Sequence, residues 1–354
     1  MPAHRRDDVT READLIEEVA RIDGVERLPA TLPARQDAGG ALTPEQRARR
    51  RVEDALAGHG LLEVMGWSFQ SPAMADRLRL PADDSRRRFV RLRNPLSEEQ
   101  SVMRTLLLGS LLEVATYNAA RDVADLRLFE TGGVYLADLE GGLPDEHRHV
   151  GVLMTGAARP RSWRTPEPPA ADLFAAKGVL TALLDTLRLQ WNVADAPQPF
   201  LHPGRSAAVH VEGEALGWLG EVHPLVTRAW DLDGAAAFEL DLDRLAELAG
   251  ARVETYEDVT SFPAVRQDIA VVVADDVPAE RVRQIVREAG GDLLRRAEVF
   301  DVYRGEQVGE GRVSLALALE FRAPDRTLTD DEVAERRAAI ADALKREAGG
   351  ELRA

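Results

Sequence analysis

At 354 residues and 45% hydrophobic content, the chain can bury a sizeable core and is long enough for two or three domains. Its formal charge of -16 excludes a generally basic nucleic-acid binder, and zero cysteines exclude disulfides, thiolate nucleophiles and Cys-based zinc sites. No run approaches the roughly 18 apolar residues a membrane helix needs, and no apolar h-region follows MPAHRRDD, so neither a membrane span nor a secretory signal is expected, as suits a cytoplasmic protein.

In chain order, DLIEEVARIDG predicts a helix that stops at Asp23-Gly24: Leu15, Ile16, Val19 and Ile22 recur at helical spacing. A Pro- and Gly-rich linker follows, then a helix over Pro44 to His59 and a strand over Val64 to Phe69. The next stretch reads strand, loop, long helix, strand, with Leu107, Leu111, Val114 and Asn118 on one helical face. HVGVLMTG is a strand, and AAVHVEGEALGWLGEVHP is a strand, a Glu-Gly-Glu turn and a second strand. Strands and helices mix without βαβ alternation, which predicts an α+β domain on an antiparallel sheet. From about Ser261 the order becomes βαββαβ, the ferredoxin-like plan. Its second helix opens on a capping box, Thr329 with Glu332, and its third strand sets Leu315, Leu317, Leu319 and Phe321 on one face.

Catalytic motifs are missing: no GxxxxGK[ST], GxSxG or HExxH, and the seven histidines lack metal-ligand spacing. His202 and His223 each precede a proline and read as loop anchors. Two constellations remain. Asp8, Asp14, Glu17 and Glu18 open the chain, the last three sharing the polar helix face; they are either a solvated face or half of a Mg²⁺ site that a partner could complete. Phe262, Arg266, Phe300, Tyr303, Arg304, Arg322 and Arg326 put aromatics and guanidiniums at strand ends and loops of the last domain. Such groups can stack on unpaired bases and hold phosphates, or can be core aromatics beside solvated arginines. Residues 260–354 carry 15 Arg and Lys against 19 Asp and Glu, so most of the acidity lies upstream.

FPAVRQDIAVVV and FDVYRGEQVGEGRVSLALALEFRAPDRTLTDDEV closely resemble the ferredoxin-fold anticodon-binding domain of the bacterial phenylalanyl-tRNA synthetase β-subunit family. NPLSEEQSVMRTLLLGSLLEVATYNAAR, LFETGGVY and HPGRSAAVHVEGEALGWLGEVHP are similar to that family's catalytic-like module, and TREADLIEEVARIDG to the end of the helical domain before it. The resemblance implies a remnant of the helical domain over 1–36, a class II synthetase-like but inactive core over 40–246, and the anticodon-binding domain over 260–353. It also implies that the active site, with its ATP, belongs to a separate α subunit in an α2β2 heterotetramer that charges tRNAPhe with phenylalanine. The core agrees, because a class II site needs F-R-x-E: Glu130 is kept, but Arg127 stands one residue too far away and no Gly-rich motif follows. No catalytic residue is therefore assigned to this chain.

The family's shared Mg²⁺ lies on D-x5-D-x2-E-E, a pattern Asp8, Asp14, Glu17 and Glu18 carry here, with Asp7 competing for the first place. The family's OB-fold and editing modules have no counterpart, as a shortened gene start or a split gene would explain, so no proofreading is expected. The alternative is a paralogous assembly or regulatory module that has kept the fold and lost tRNA.

Overall fold

The computed structural model describes residues 8–31, 40–138, 140–251, 256 and 260–353. The chain divides into two units, residues 1–43 and 44–354. In the first, α1 (Glu12–Asp23) starts where Asp14 turns back to accept from the backbone N–H groups of Thr10 at 2.9 Å and Arg11 at 2.7 Å. It stops at the predicted place. Gly24 adopts φ +107°, a conformation L side chains rarely reach, and its N–H donates to the Ala20 carbonyl at 2.9 Å.

The second unit begins with α2 (Pro44–Gly58), β1 (Leu62–Glu63), β2 (Phe69–Gln70), α3 (Met74–Arg77), β3 (Val102–Met103) and α4 (Leu108–Ala119). It continues through β4 (Leu126–Leu136), β5 (Asp145–Thr155), α5 (Leu173–Leu187), β6 (Trp191–Ala194), β7 (Leu201–Val211) and β8 (Glu214–Val222). The core closes with α6 (Pro224–Ala229), β9 (Ala236–Asp241) and α7 (Leu242–Ala251). The strand expected over Val64 to Phe69 is interrupted. β1 ends at Glu63 because the Gly66 N–H turns to the side chain of Glu130, at 3.1 Å, instead of joining a ladder.

Seven strands form one sheet in the order β1-β4-β5-β9-β8-β7-β6, antiparallel throughout except that β1 runs parallel to β4. Both faces are covered, so the central strands read as nearly continuous apolar runs rather than alternations. Val150, Val152, Phe238 and Leu240 pack with α2 and α5 on one face. Leu128, Leu153 and Ala237 pack with α4, Trp218 and Trp230 on the other. Gly151 lets α4 approach: a Cβ there would stand 3.0 Å from the Cβ of Leu107. The expected α+β architecture is the one formed.

The chain ends in β10 (Val265–Ala274), α8 (Ala279–Gly290), β11 (Leu294–Tyr303), β12 (Arg312–Phe321), α9 (Asp330–Ala348) and β13 (Glu351–Arg353). Sheet order β11-β12-β10-β13 completes the ferredoxin-like plan. Leu315, Leu317, Leu319 and Phe321 are buried with Ile269, Val271 and Val273 against Val282, Ile285, Ile340 and Leu344 of the helices. The capping box at Thr329 forms as predicted, while Pro278 caps α8 from one residue outside it. Among the described residues no helix is long and apolar enough to cross a membrane.

Candidate functional site

The centre of the core sheet is where a synthetase-like fold would hold its chemistry. Successive strand residues point to opposite faces, so in F-R-x-E the arginine and glutamate share a face, two residues apart. In β4 the residue two before Glu130 is Leu128, buried in the α4-side core. Arg127 points to the other face, where its Nη1 donates to the Ala158 carbonyl at 3.3 Å. The single-residue offset read from the sequence therefore removes the guanidinium from the site altogether.

A different arginine takes its place. Arg104, from the segment after β3, donates through Nη1 to Glu130 Oε1 at 2.6 Å and through Nε to the Gly133 carbonyl at 2.9 Å. Both side chains are only 2% exposed. The Gly66 N–H completes the shell of that oxygen, and Glu130 Oε2 is buried without a partner among the described residues. Arg104 was not anticipated from the sequence, because nothing in SVMRTLLLG marks an arginine that folds inward. With Nε and Nη1 committed and its side chain only 2% exposed, the Arg104 guanidinium is turned inward to a carboxylate rather than outward to a phosphate.

Glu239 of β9 is the second buried carboxylate on this face. Its Oε2 accepts from the N–H groups of Leu107 and Leu108, at 3.1 and 3.2 Å, where α4 begins, and Oε1 meets His149 Nδ1 at 2.7 Å. Burial alone would push His149 down, but the hydrogen bond to Glu239 and the charges of Glu239, Asp241 and Asp243 outweigh it and leave its pKa raised. His147, beside it, faces Asp145 and Asp241. A raised folded-state pKa means the His149 contribution is complete below the unfolded value of about 6.5 and is lost as pH rises through the folded value. Urea stability should therefore fall as pH rises above about 6.5, and His149→Gln should flatten that dependence. An unchanged pH profile in His149→Gln would assign the dependence elsewhere.

Several large apolar side chains of the core are exposed. Leu62 on the edge strand, Met65, Trp67 and Leu96 are 65%, 91%, 71% and 94% exposed, and Tyr117 of α4 is 59% exposed. Met65, Trp67, Phe69 and Tyr117 line one open cleft with Glu113, whose carboxyl burial pushes up against the opposing charge of Arg77. His223 anchors a connection as expected, capping α6, whereas His202 lies within β7, at a register shift against β8, rather than in a loop; each Nδ1 accepts a backbone N–H two residues on, at 3.0 and 3.1 Å respectively.

Of the four acids at the chain start, Asp14 is the most engaged. Arg11 donates to its Oδ1 from Nη2 at 2.9 Å, and the Arg11 guanidinium, with the Arg11 and Thr10 N–H groups, holds its carboxyl below the usual range. Glu18 pairs with Arg21 at 2.8 Å, and Glu17 and Asp8 are exposed. Asp7, the competitor for the first position, lies outside the described residues. Carboxylate oxygens at this spacing fit a hard cation by donor chemistry, although Asp14 would have to release Arg11 to take part. Among the described residues no three Asp, Glu or His side chains converge in a way that could hold a metal ion.

The seven candidates of the last domain fall into two groups. Arg266 opens β10, opposite Glu320 near the end of β12, and its Nε donates to Glu320 at 3.2 Å. Arg322 follows on, its Nη2 3.9 Å from Glu320 and its Nε buried with no hydrogen-bond partner among the described residues, and Arg326 pairs with Glu332 at 2.7 Å. Phe262 is half-buried just before β10. At the far end of β11 stand Phe300 and Tyr303, 59% and 40% exposed, and Arg304, exposed and without a carboxylate partner among the described residues. Phe300 sits on a bulge in the β11–β12 register.

A family model described as phenylalanyl tRNA synthetase beta chain CLM domain matches residues 28–242, and one described as ferredoxin-fold anticodon binding domain matches residues 260–353. The phenylalanine–tRNA ligase beta subunit of Symbiobacterium thermophilum is 45% identical, the alignment covering 99% of this chain and 39% of that protein. The corresponding subunit of Moorella thermoacetica is 44% identical over 100% of this chain and 44% of its own length. That of Geobacillus kaustophilus is 40% identical, with 100% and 43% covered. The chain thus spans about two fifths of the relatives it matches.

Proposed function

The chain belongs to the phenylalanyl-tRNA synthetase β-chain family, and on that premise we propose that it serves phenylalanine–tRNA ligase as a non-catalytic body. It docks the catalytic α subunit through the core over 40–246 and holds tRNAPhe through the anticodon-binding domain over 260–353, in a cytoplasmic α2β2 complex. The α subunit binds ATP and performs the charging; this chain alone does not activate phenylalanine. The observation that carries this reading is the closure of Arg104 on Glu130, which takes up, among the described residues, the guanidinium beside that buried carboxylate.

The exposed band of Leu62, Met65, Trp67 and Tyr117 supports docking, since a soluble chain gains nothing from such a face unless a partner covers it. Arg304, Phe300 and Tyr303 are the better placed of the tRNA candidates, because Arg266 and Arg326 already hold carboxylates. Asp8, Asp14, Glu17 and Glu18 supply half of a Mg²⁺ site that the α subunit completes. The ion would tie the two chains through shared oxygen ligands, with no part in bond-making by this chain.

Light scattering of this chain mixed with the α subunit tests the reading. A stable hetero-oligomer is expected with Mg²⁺, and chelation, or Asp14→Ala with Glu17→Ala, should lower its mass. Separate peaks under every condition would refute docking. A hetero-oligomer indifferent to chelation and to both substitutions would remove the metal from the reading.

A further inference from the structure

A cluster of positive charge without carboxylate partners among the described residues lies outside the anticodon-binding domain, in the loop between β5 and α5. Residues 157–170, AARPRSWRTPEPPA, contain Arg159, Arg161 and Arg164 against one acid, Glu167, in a protein of formal charge -16. None of the three arginines has a carboxylate partner among the described residues. In the last domain several exposed arginines, Arg266, Arg281, Arg296 and Arg326, are paired with carboxylates, although Arg304 is not.

The loop is built to hold a shape. An Ala157–Ala170 bridge closes its base, the Ala158 N–H donates to the Pro169 carbonyl at 2.8 Å, and Asp125 Oδ1 accepts from the Ala157 N–H at 2.8 Å. Pro160, Pro166, Pro168 and Pro169 restrict the backbone between base and tip. At the tip, Ser162 and Thr165 exchange backbone hydrogen bonds of 3.1 Å, so Trp163 and Arg164 occupy a tight turn. Trp163 is 89% exposed there, with the Arg164 guanidinium 5.5 Å from its ring centroid. A tryptophan held in water on a stiff support, flanked by three free guanidiniums, matches what an unpaired nucleotide needs. The ring takes the base face and the cations take the phosphates on either side. A duplex offers its phosphates but hides its base faces, so the tryptophan selects single strands.

We propose that the β5–α5 loop is an RNA-contacting site, in which Trp163 stacks on one unpaired base and Arg159, Arg161 and Arg164 hold the adjoining phosphates. Only the identity of that RNA as tRNA rests on the function proposed above; the contact itself does not.

The full chain is titrated against a fluorescein-labelled single-stranded oligouridylate and a duplex RNA of the same length, by anisotropy over a range of KCl. The single strand should bind more tightly. Trp163→Ala should weaken it by about tenfold with little change in salt slope, because stacking carries no charge. Replacing Arg159, Arg161 and Arg164 by alanine should lower the slope by about 2, at about 0.7 per phosphate. All of these residues are exposed, so thermal midpoints should match the parent and a folding failure would be visible as such. Parental affinity in either variant overturns the proposal, as does equal binding of duplex and single strand. Loss of α-subunit association without loss of RNA affinity overturns it too, by making the loop a protein contact. Failure of the tRNA reading looks different: Arg266→Ala with Arg304→Ala would leave tRNAPhe affinity unchanged while the loop variants still lost the oligouridylate.

Discussion

Arg104→Ala should cost about 3–5 kcal/mol of stability, the range seen when one partner of a buried ion pair is removed. The pair it breaks is only 2% exposed on either side. Glu130 would keep the Gly66 N–H as its hydrogen-bond donor, with Oε2 already lacking one among the described residues. Loss on that scale is about a fifth or more of the roughly 5–15 kcal/mol that holds a typical domain together. Replacing both partners, Arg104→Met with Glu130→Leu, should recover most of it, because an apolar pair carries no desolvation debt. Recovery would stay incomplete, as the Gly133 carbonyl loses Nε of Arg104 and the Gly66 N–H loses its acceptor, each worth about 1 kcal/mol. Urea denaturation followed by circular dichroism measures all three. A single substitution costing under about 1 kcal/mol would mean that water reaches Glu130 and that the closed pair is not what empties the site.

Fold and site differed in how far the sequence disclosed them, for physical reasons. Alternation in RVSLALALEFR, the capping box at Thr329 and the Glu-Gly-Glu turn are local signals, and β12, α9 and the β7–β8 hairpin form where they point. The strand over Val64 to Phe69 failed because the decisive contact is distant: Gly66 gives its N–H to a side chain 64 residues away. Arg104 escaped notice for the same reason, since its role depends on Glu130, 26 residues on, and on tertiary burial that composition does not encode. Helical periodicity placed Asp14, Glu17 and Glu18 on one face of α1, yet spacing could not reveal that Asp14 is held by Arg11. The aromatic and basic residues of the last domain were legible as residue types. Their separation into two groups at opposite ends of the sheet follows from strand register, which only pairing fixes.

The bond from Gly66 to Glu130 has a second consequence, at the surface. Met65 and Trp67 flank Gly66, so the carboxylate that closes the interior also fixes the segment that presents both side chains outward. Trp67 lines its cleft with Tyr117 of α4, whose first turn is pinned by Glu239. A backbone fixed before binding has less conformational freedom to lose, and an aromatic side chain presented from it suits an interface anchor. If the chain docks an α subunit as proposed above, Trp67→Ala should weaken that association by about 30-fold or more, the affinity equivalent of the 2 kcal/mol that marks such anchors. Its own fold should barely notice, because Trp67 is 71% exposed. Phe174 supplies the control: it is 74% exposed on α5, which covers the opposite face of the sheet, and Phe174→Ala should leave association unchanged. Sedimentation of each variant with the α subunit separates the outcomes. Equal losses at Trp67 and Phe174 would point to general destabilisation. No loss at Trp67 would move the docking face away from β1 and α4.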